Sequence, residues 1–138
     1  MITLSHVLQP ARPASTAVVI PDGPSISYRD LAAEIERVAG LLADAGVRRG
    51  RAVSIVLPNG LEFMTVFLAV ARAGAIAAPL NSAYTDDEFK FYMEDANSQL
   101  AILPPGPHEA RTAAAQLGIP VMEAALDSRG RVILLRDG

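Results

Sequence analysis

The chain has 138 residues, of which 51% are apolar, with a formal net charge of −3 and no cysteine. This length suits one domain that buries about 70% of its unfolded surface. The missing cysteines exclude disulfides, thiolate metal sites and cysteine nucleophiles. The apolar fraction is high for a free-standing domain, so part of the apolar surface is expected to be covered by another element or molecule.

Charge and segment patterns also exclude several partners. The sequence has no basic stripe or aromatic platform that would indicate nucleic-acid binding. Its longest apolar run, residues 63–71, is much shorter than the ~20 residues of a membrane span. No secretory signal begins the chain, and its last three residues, Arg136-Asp137-Gly138, are not a peroxisomal signal. We expect a cytoplasmic protein that binds neither membrane nor nucleic acid.

A hairpin and an amphipathic helix are predicted first along the chain. Residues 16–20 and 25–27 have extended patterns, with a proline- and glycine-containing turn between them. Ser27 is expected to cap a helix, with the Asp30 carboxylate reaching back in a capping box. Apolar residues then recur at helical spacing: Leu31, Ile35, Val38 and Leu42. Gly46 is expected to end this helix.

A second helix is predicted after a short apolar strand at residues 52–57. Asn59, together with Glu62, is expected to cap its start. Apolar residues then surround the helix axis: Leu61, Phe63, Met64, Val66, Phe67, Leu68 and Val70. A helix that is apolar on all sides is typically buried on all sides. This leaves open a second covering layer from outside the 138 residues.

The rest of the chain continues to alternate strand and helix. Further strands are predicted at residues 75–80, 99–103, 119–122 and 131–135, and helices at residues 85–96 and 109–117. Thr85 and Glu88 form a capping box, and four residues form the buried face of that helix: Phe89, Tyr92, Met93 and Ala96. The alternation predicts an α/β fold: a three-layer, flavodoxin-like parallel sheet with flanking helices and an N-terminal β-hairpin.

No self-sufficient catalytic motif is present. The sequence lacks a phosphate-binding P-loop, a G-x-G-x-x-G fingerprint and a G-x-S-x-G elbow. The two histidines, His6 and His108, are interpreted as surface residues because no convergent partners are evident. Lys90, the only lysine, is expected to face water without a catalytic role. We therefore predict no catalytic, cofactor-binding or metal-binding residue in the chain.

The polar residues that a ligand could meet lie where strands end, because ligands of open α/β sheets bind outside the carboxyl ends of strands. Four such residues are Asn59, Asn81, Ser82 and Tyr84. The structural interpretation is favoured for two of them: Asn59 as a helix cap and Asn81 as a turn residue. The acidic run at residues 86–88 is attributed to the positive end of a helix dipole rather than to acid–base catalysis.

Taken in order, four segments resemble adenylate-forming enzymes, the superfamily of acyl-CoA synthetases, luciferases and peptide-synthetase adenylation domains. Residues 26–31 (I-S-Y-R-D-L) match the core motif L-T-Y-x-E-L, and residues 72–81 (R-A-G-A-I-A-A-P-L-N) match K-A-G-A-x-Y-V-P-L-D. Residues 46–53 resemble G-V-x-x-G-D-x-V, and residues 56–63 resemble L-P-N-S-x-E-F. The segment from Asn81 to Tyr92 is most similar to the acyl-CoA synthetase branch, near oxalate- and coumarate-CoA ligases.

The resemblance implies a two-step reaction in a full-length enzyme. A carboxylic acid and ATP give an acyl-adenylate and pyrophosphate, and coenzyme A then displaces AMP. The phosphate-binding loop, the magnesium-binding glutamate, the ribose-binding aspartate and the C-terminal lysine of such enzymes have no counterpart here. Residues 1–138 would therefore be a partial N-terminal AMP-binding domain, a scaffold that is inactive alone. ATP, magnesium and coenzyme A are implied only for the full enzyme.

Two other functions remain open. The chain could be a stand-alone flavodoxin-like module for interaction or oligomerisation, or a small-molecule binder at the strand ends. The expected partner is the remainder of the ligase, or a second copy of the chain, at an exposed apolar face.

Overall fold

The computed structural model describes residues 14–20, 23 and 25–136. The strands are β1 (Thr16–Val19), β2 (Ser25–Ser27), β3 (Ala52–Ile55), β4 (Ile76–Pro79), β5 (Leu100–Leu103), β6 (Val121–Leu126) and β7 (Val132–Arg136). The helices are α1 (Tyr28–Asp44), α2 (Leu61–Arg72), α3 (Asp86–Asp95) and α4 (Glu109–Leu117). The predicted hairpin is confirmed, since β1 and β2 pair antiparallel. Pro21, Asp22 and Pro24 of its turn lie outside the described residues.

The main sheet has five strands in the order β4-β3-β5-β6-β7. The first four run parallel, but β7 pairs antiparallel with β6. The parallel sheet predicted from the alternation is confirmed for these four strands, and β7 adds an antiparallel edge strand to it. The physical reason is the tight turn after β6, in which Asp127 N donates to Arg131 O over 2.8 Å. So short a connection can join only antiparallel strands, because parallel neighbours need a crossover. It also extends β6 to Leu126, beyond the predicted end at residue 122.

Helices cover both faces of the sheet, as predicted. Successive strand residues point to opposite faces, and β5 shows this directly. Its Leu100 and Ile102 belong to a core with buried residues of α1 and α2, whereas Ala101 and Leu103 pack with buried residues of α3 and α4. The three-layer α/β architecture is confirmed.

Local capping determines where α1 begins and ends. Ser27 Oγ accepts a hydrogen bond from Asp30 N over 3.1 Å, which confirms the predicted N-cap. The return bond from the Asp30 carboxylate does not appear among the described hydrogen bonds, so only half of the capping box forms. Gly46 has a φ of +93°, and Val47 N donates to Leu42 O over 3.0 Å. This left-handed glycine ends the helix as predicted.

The predicted cap of α2 is wrong. The N-cap is Gly60, which makes no side-chain hydrogen bond, and Met64 N donates to Gly60 O over 3.1 Å as the first helical bond. Asn59 therefore lies one residue before the cap position. An N-cap side chain bonds the amide two or three residues ahead, and this displacement removes Asn59 from that geometry.

Burial of α2 is also less complete than predicted. One face packs against α1 and the sheet through Leu61, Thr65, Val66, Ala69 and Val70. The opposite face carries the partly buried residues Phe63, Met64, Phe67 and Leu68, with the two phenylalanine rings stacked at 6.0 Å. We call these four residues the outer face of α2.

The capping box of α3 is confirmed in full. Glu88 N donates to Thr85 Oγ1 over 3.2 Å, and Thr85 N donates to Glu88 Oε1 over 3.1 Å. Phe89 and Met93 are completely buried, but Tyr92 is 39% exposed, so its predicted place on the buried face is wrong. Phe89 and Met93 lie one turn apart and define the packed face, which leaves Tyr92 at its margin.

We expect the Thr85→Ala substitution to lower the free energy of unfolding by about 1 kcal/mol, because it removes the side-chain cap of α3. Urea denaturation followed by circular dichroism measures this change. Ser82→Ala is the matched control, since Ser82 is exposed and makes no hydrogen bond among the described residues. Equal stability losses in the two variants would contradict the capping role.

Candidate functional site

The loop after β4 contains two of the predicted strand-end residues. Asn81 Oδ1 accepts a hydrogen bond from Ala83 N over 2.9 Å, and Tyr84 N donates to Asn81 O over 3.1 Å. Asn81 is therefore a turn residue that bonds its own loop, as predicted. Ser82 is exposed beside it. Asn59 lies in the loop that follows the neighbouring parallel strand β3 and precedes α2.

Tyr84 belongs to an aromatic cluster instead. Its ring stacks on Tyr92 at 5.0 Å and meets Phe89 edge-on at 5.7 Å, and His108 meets Phe89 at 5.5 Å. Partial burial, the adjacent Tyr92 and the charge of Glu88 raise the pKa of the Tyr84 hydroxyl above its usual range. The stacked and edge-on ring contacts fit a packing role for Tyr84.

The other residues considered in the sequence, His108, Lys90 and the acidic run at residues 86–88, lie at helix ends or on a helix surface. His108 is the N-cap of α4, where its Nδ1 accepts from Ala110 N over 3.1 Å. It is partly exposed, and the interpretation that it has no metal-binding or catalytic role stays a prediction, whereas His6 lies outside the described residues. Lys90 is partly buried rather than fully in water. The acidic run at residues 86–88 occupies the first turn of α3, as predicted.

A cavity of about 350 Å³ opens between α1, α2, the hairpin and the turn after β6. Its apolar lining includes Ile26, Leu31 and Leu61, and its polar lining includes Glu34 and Arg37. We call this cavity the α1–α2 crevice. It lies at the edge where β6 ends and α2 begins, which is where ligands bind in open α/β sheets. The sequence analysis singled out none of these residues as a ligand contact.

The Glu34 carboxylate accepts three hydrogen bonds at the edge of the crevice. It accepts from Arg37 Nε over 2.6 Å, from Arg37 Nη2 over 2.8 Å and from Val132 N over 2.6 Å. Arg37 Nη2 also donates to Val132 O over 2.5 Å. Burial by itself raises the pKa of Glu34, but these hydrogen bonds and the positive charges of Arg37 and Arg131 hold it below its usual range.

The lowered pKa of Glu34 predicts a pH-dependent contribution to stability. Because the folded-state pKa lies below the unfolded one, this contribution is present above the unfolded pKa and is lost as pH falls through the folded pKa. We expect Glu34→Gln to cost about 1–3 kcal/mol at pH 7, since it breaks a charged, partly buried hydrogen-bond network. The measurement is urea denaturation of both proteins from pH 7 to pH 3.

The difference between Glu34→Gln and the unsubstituted chain should shrink towards acidic pH. Glu36→Gln is the matched control, because Glu36 lies on the same helix as Glu34 and forms an exposed ion pair with Arg72 of α2. Exposed ion pairs contribute little to stability. A stability gap for Glu34→Gln that stays constant across this pH range would contradict the assigned ionisation.

The described residues do not offer a cluster of side chains that fits a metal ion. Over residues 14–20, 23 and 25–136, no group of three or more His, Cys, Asp or Glu side chains could hold a metal ion. The crevice carboxylate Glu34 is already engaged by Arg37 and Val132. We therefore derive no catalytic step from these residues.

None of the described helices is both long and apolar enough to cross a membrane.

The fold and the crevice define a three-layer α/β protein with a mixed, mainly parallel sheet. The sequence profile of the AMP-binding enzyme family matches residues 8–137. The chain therefore belongs to the AMP-binding enzyme family. This confirms the resemblance seen in its motifs.

Individual relatives agree with this assignment. The chain is 38% identical over 138 residues to a probable CoA ligase, CCL9, of Humulus lupulus, covering 97% of this chain and 26% of that protein. It is 45% identical over 103 residues to oxalate–CoA ligase of Arabidopsis thaliana, covering 73% of this chain and 20% of that protein.

A solved structure shows the same fold. Apo MatB from Rhodopseudomonas palustris superimposes with a TM-score of 0.80 at 30% identity, covering 94% of this chain and 26% of MatB. An ATP-bound structure of MatB matches equally well. The architecture corresponds to the N-terminal domain of acyl-CoA synthetases. The chain spans about a quarter of the length of these proteins.

Proposed function

We propose that this chain is a scaffold segment of an ATP-dependent acyl-CoA ligase and is inactive alone. The complete ligase would join a carboxylic acid to coenzyme A, with cleavage of ATP to AMP and pyrophosphate. The observation that carries the proposal is the match of almost the whole chain to about a quarter of CoA ligases.

Within such an enzyme, the chain would supply a five-stranded sheet, a two-stranded hairpin and four helices against which other segments pack. The outer face of α2 supports this role, because Phe63 and Phe67 stack on each other but remain partly exposed. A second apolar area supports it as well. Ile133 and Leu135 of β7 are 43% and 57% exposed, on the side of the strand opposite the buried Val132.

The isolated chain should catalyse no exchange of radiolabelled pyrophosphate into ATP with a panel of carboxylic acids that includes oxalate, malonate and coumarate. The assay contains magnesium and uses a complete CoA ligase as a positive control. Exchange above the blank that disappears on substitution of a residue in this chain would overturn the proposal.

We propose further that the outer face of α2 contacts the remainder of the ligase. The reason is that the chain covers only 26% of MatB, so a large part of such an enzyme is available to cover this face. Without that cover, apolar contact should cause concentration-dependent self-association of the isolated chain.

Sedimentation velocity over a hundredfold concentration range tests this contact. Phe67→Ser should reduce self-association, whereas Val19→Ser should not, because Val19 is 69% exposed on β1 and is not part of this face. A strictly monomeric chain would contradict the proposed surface. A discrete, stable dimer sensitive to Phe67→Ser would instead favour the alternative function, an oligomerisation module.

A further inference from the structure

The α1–α2 crevice is large enough for a small molecule and has an apolar wall. Its volume of about 350 Å³ falls within the range of small-molecule sites, roughly 300–1,000 Å³. Leu31 and Leu61 are almost fully buried and Ile26 partly so, which gives the cavity a fixed hydrocarbon lining. Thr65 also lines the crevice, and its buried Oγ1 has no hydrogen-bond partner among the described residues.

Two arginines line the crevice next to this apolar wall. Arg129 and Arg131 both line the crevice and are exposed. They flank Gly130, which is buried with a φ of +78°. A Cβ on Gly130 would lie 3.4 Å from Leu61 Cδ2 and 3.5 Å from Ile26 Cδ1. The backbone between the arginines is thus packed directly on the apolar wall.

The turn that carries these arginines is fixed by its own hydrogen bonds. Asp127 Oδ1 accepts from Arg129 N over 2.8 Å and from Arg131 N over 2.9 Å. These hydrogen bonds engage the backbone N–H groups of the two arginines and not their guanidinium groups. A preorganised turn loses little further entropy when a ligand binds.

The lining of the crevice carries one more positive than negative charge, and the Asp127 carboxylate in the adjoining turn interacts with Arg129 and Arg131. Its lining contains three arginines, Arg37, Arg129 and Arg131, and two carboxylates, Asp30 and Glu34. Glu34 and Arg37 engage each other, and both bond Val132. Among the described residues, the Arg129 guanidinium has no hydrogen bond or ion pair. Arg131 Nε lies 3.9 Å from Glu34 Oε1 with its side chain 55% exposed, a contact too long for a hydrogen bond.

We propose that the α1–α2 crevice binds a small amphipathic organic anion, whose hydrocarbon part contacts Ile26, Leu31 and Leu61 and whose anionic group pairs with Arg129 and Arg131. Guanidinium groups bind oxyanions through paired N–H donors, so Arg129 and Arg131 can each pair with an oxyanion. The site lies entirely within the described residues and requires neither ATP nor any other part of a ligase. It therefore stands independently of the proposed function.

The test uses 1-hexanesulfonate, an alkyl anion that stays charged at all working pH values and is not a carboxylic acid substrate. Titration of the isotope-labelled chain is followed by the methyl resonances of Ile26, Leu31 and Leu61. We expect saturable shifts with a dissociation constant on the order of 1 mM, as is usual for ligands with about ten heavy atoms. Two neutral or cationic analogues, 1-hexanol and hexyltrimethylammonium, should bind at least threefold more weakly.

Two double variants distinguish binding in the crevice from non-specific attraction of the anion to positive charge on the surface. The double variant Arg129→Gln/Arg131→Gln should weaken hexanesulfonate binding about three- to tenfold, as expected for two exposed ion pairs. Arg48→Gln/Arg51→Gln is the matched control, because it removes the same charge from an exposed loop that does not line the crevice. It should leave binding unchanged.

Three results would overturn the proposal. They are equal binding of hexanol and hexanesulfonate, equal losses in the two double variants, and saturable shifts confined to methyl groups outside the crevice. Amide spectra of both variants verify that the fold is retained. Failure here would leave the pyrophosphate-exchange result untouched, since that assay involves neither arginine pair.

Discussion

Burial of β3 and β5 on both faces is the constraint on which the rest of the structure depends. Every residue of these two strands is buried, so each face of the sheet requires its own helical layer. The connections between the parallel strands place α2, α3 and α4 on these faces, and α1 completes the first layer. The single polar side chain of β3, Ser54, is satisfied within this core by Ser98 Oγ at 2.5 Å.

Local signals in the sequence predicted most of the elements and their ends. Ser27 and Thr85 cap the helices that follow them, and Gly46 and Gly118 end helices in the left-handed conformation. Such features depend on a few neighbouring residues, and their physics can be read directly from the sequence. The error at Asn59 is of the same local kind, a displacement by one residue.

Features that depend on distant residues were not predictable in the same way. The antiparallel direction of β7 follows from a turn whose tightness becomes visible only once β6 is known to reach Leu126. The α1–α2 crevice was missed because its central contact joins Glu34 to Val132, 98 residues later in the chain. In the sequence, Glu34 and Arg37 resemble an ordinary exposed pair three residues apart on a helix. Only the fold shows that they also bind a strand.

That contact between α1 and β7 has a consequence for how the sheet ends. An edge strand exposes backbone N–H and C=O groups that can recruit a strand from another molecule. At Val132 both groups are already occupied, because Glu34 accepts from the amide and Arg37 donates to the carbonyl. At the opposite edge, β4 ends in Pro79, which has no N–H to offer. One backbone position at each border of the sheet, Val132 on β7 and Pro79 on β4, is thus closed to an added strand.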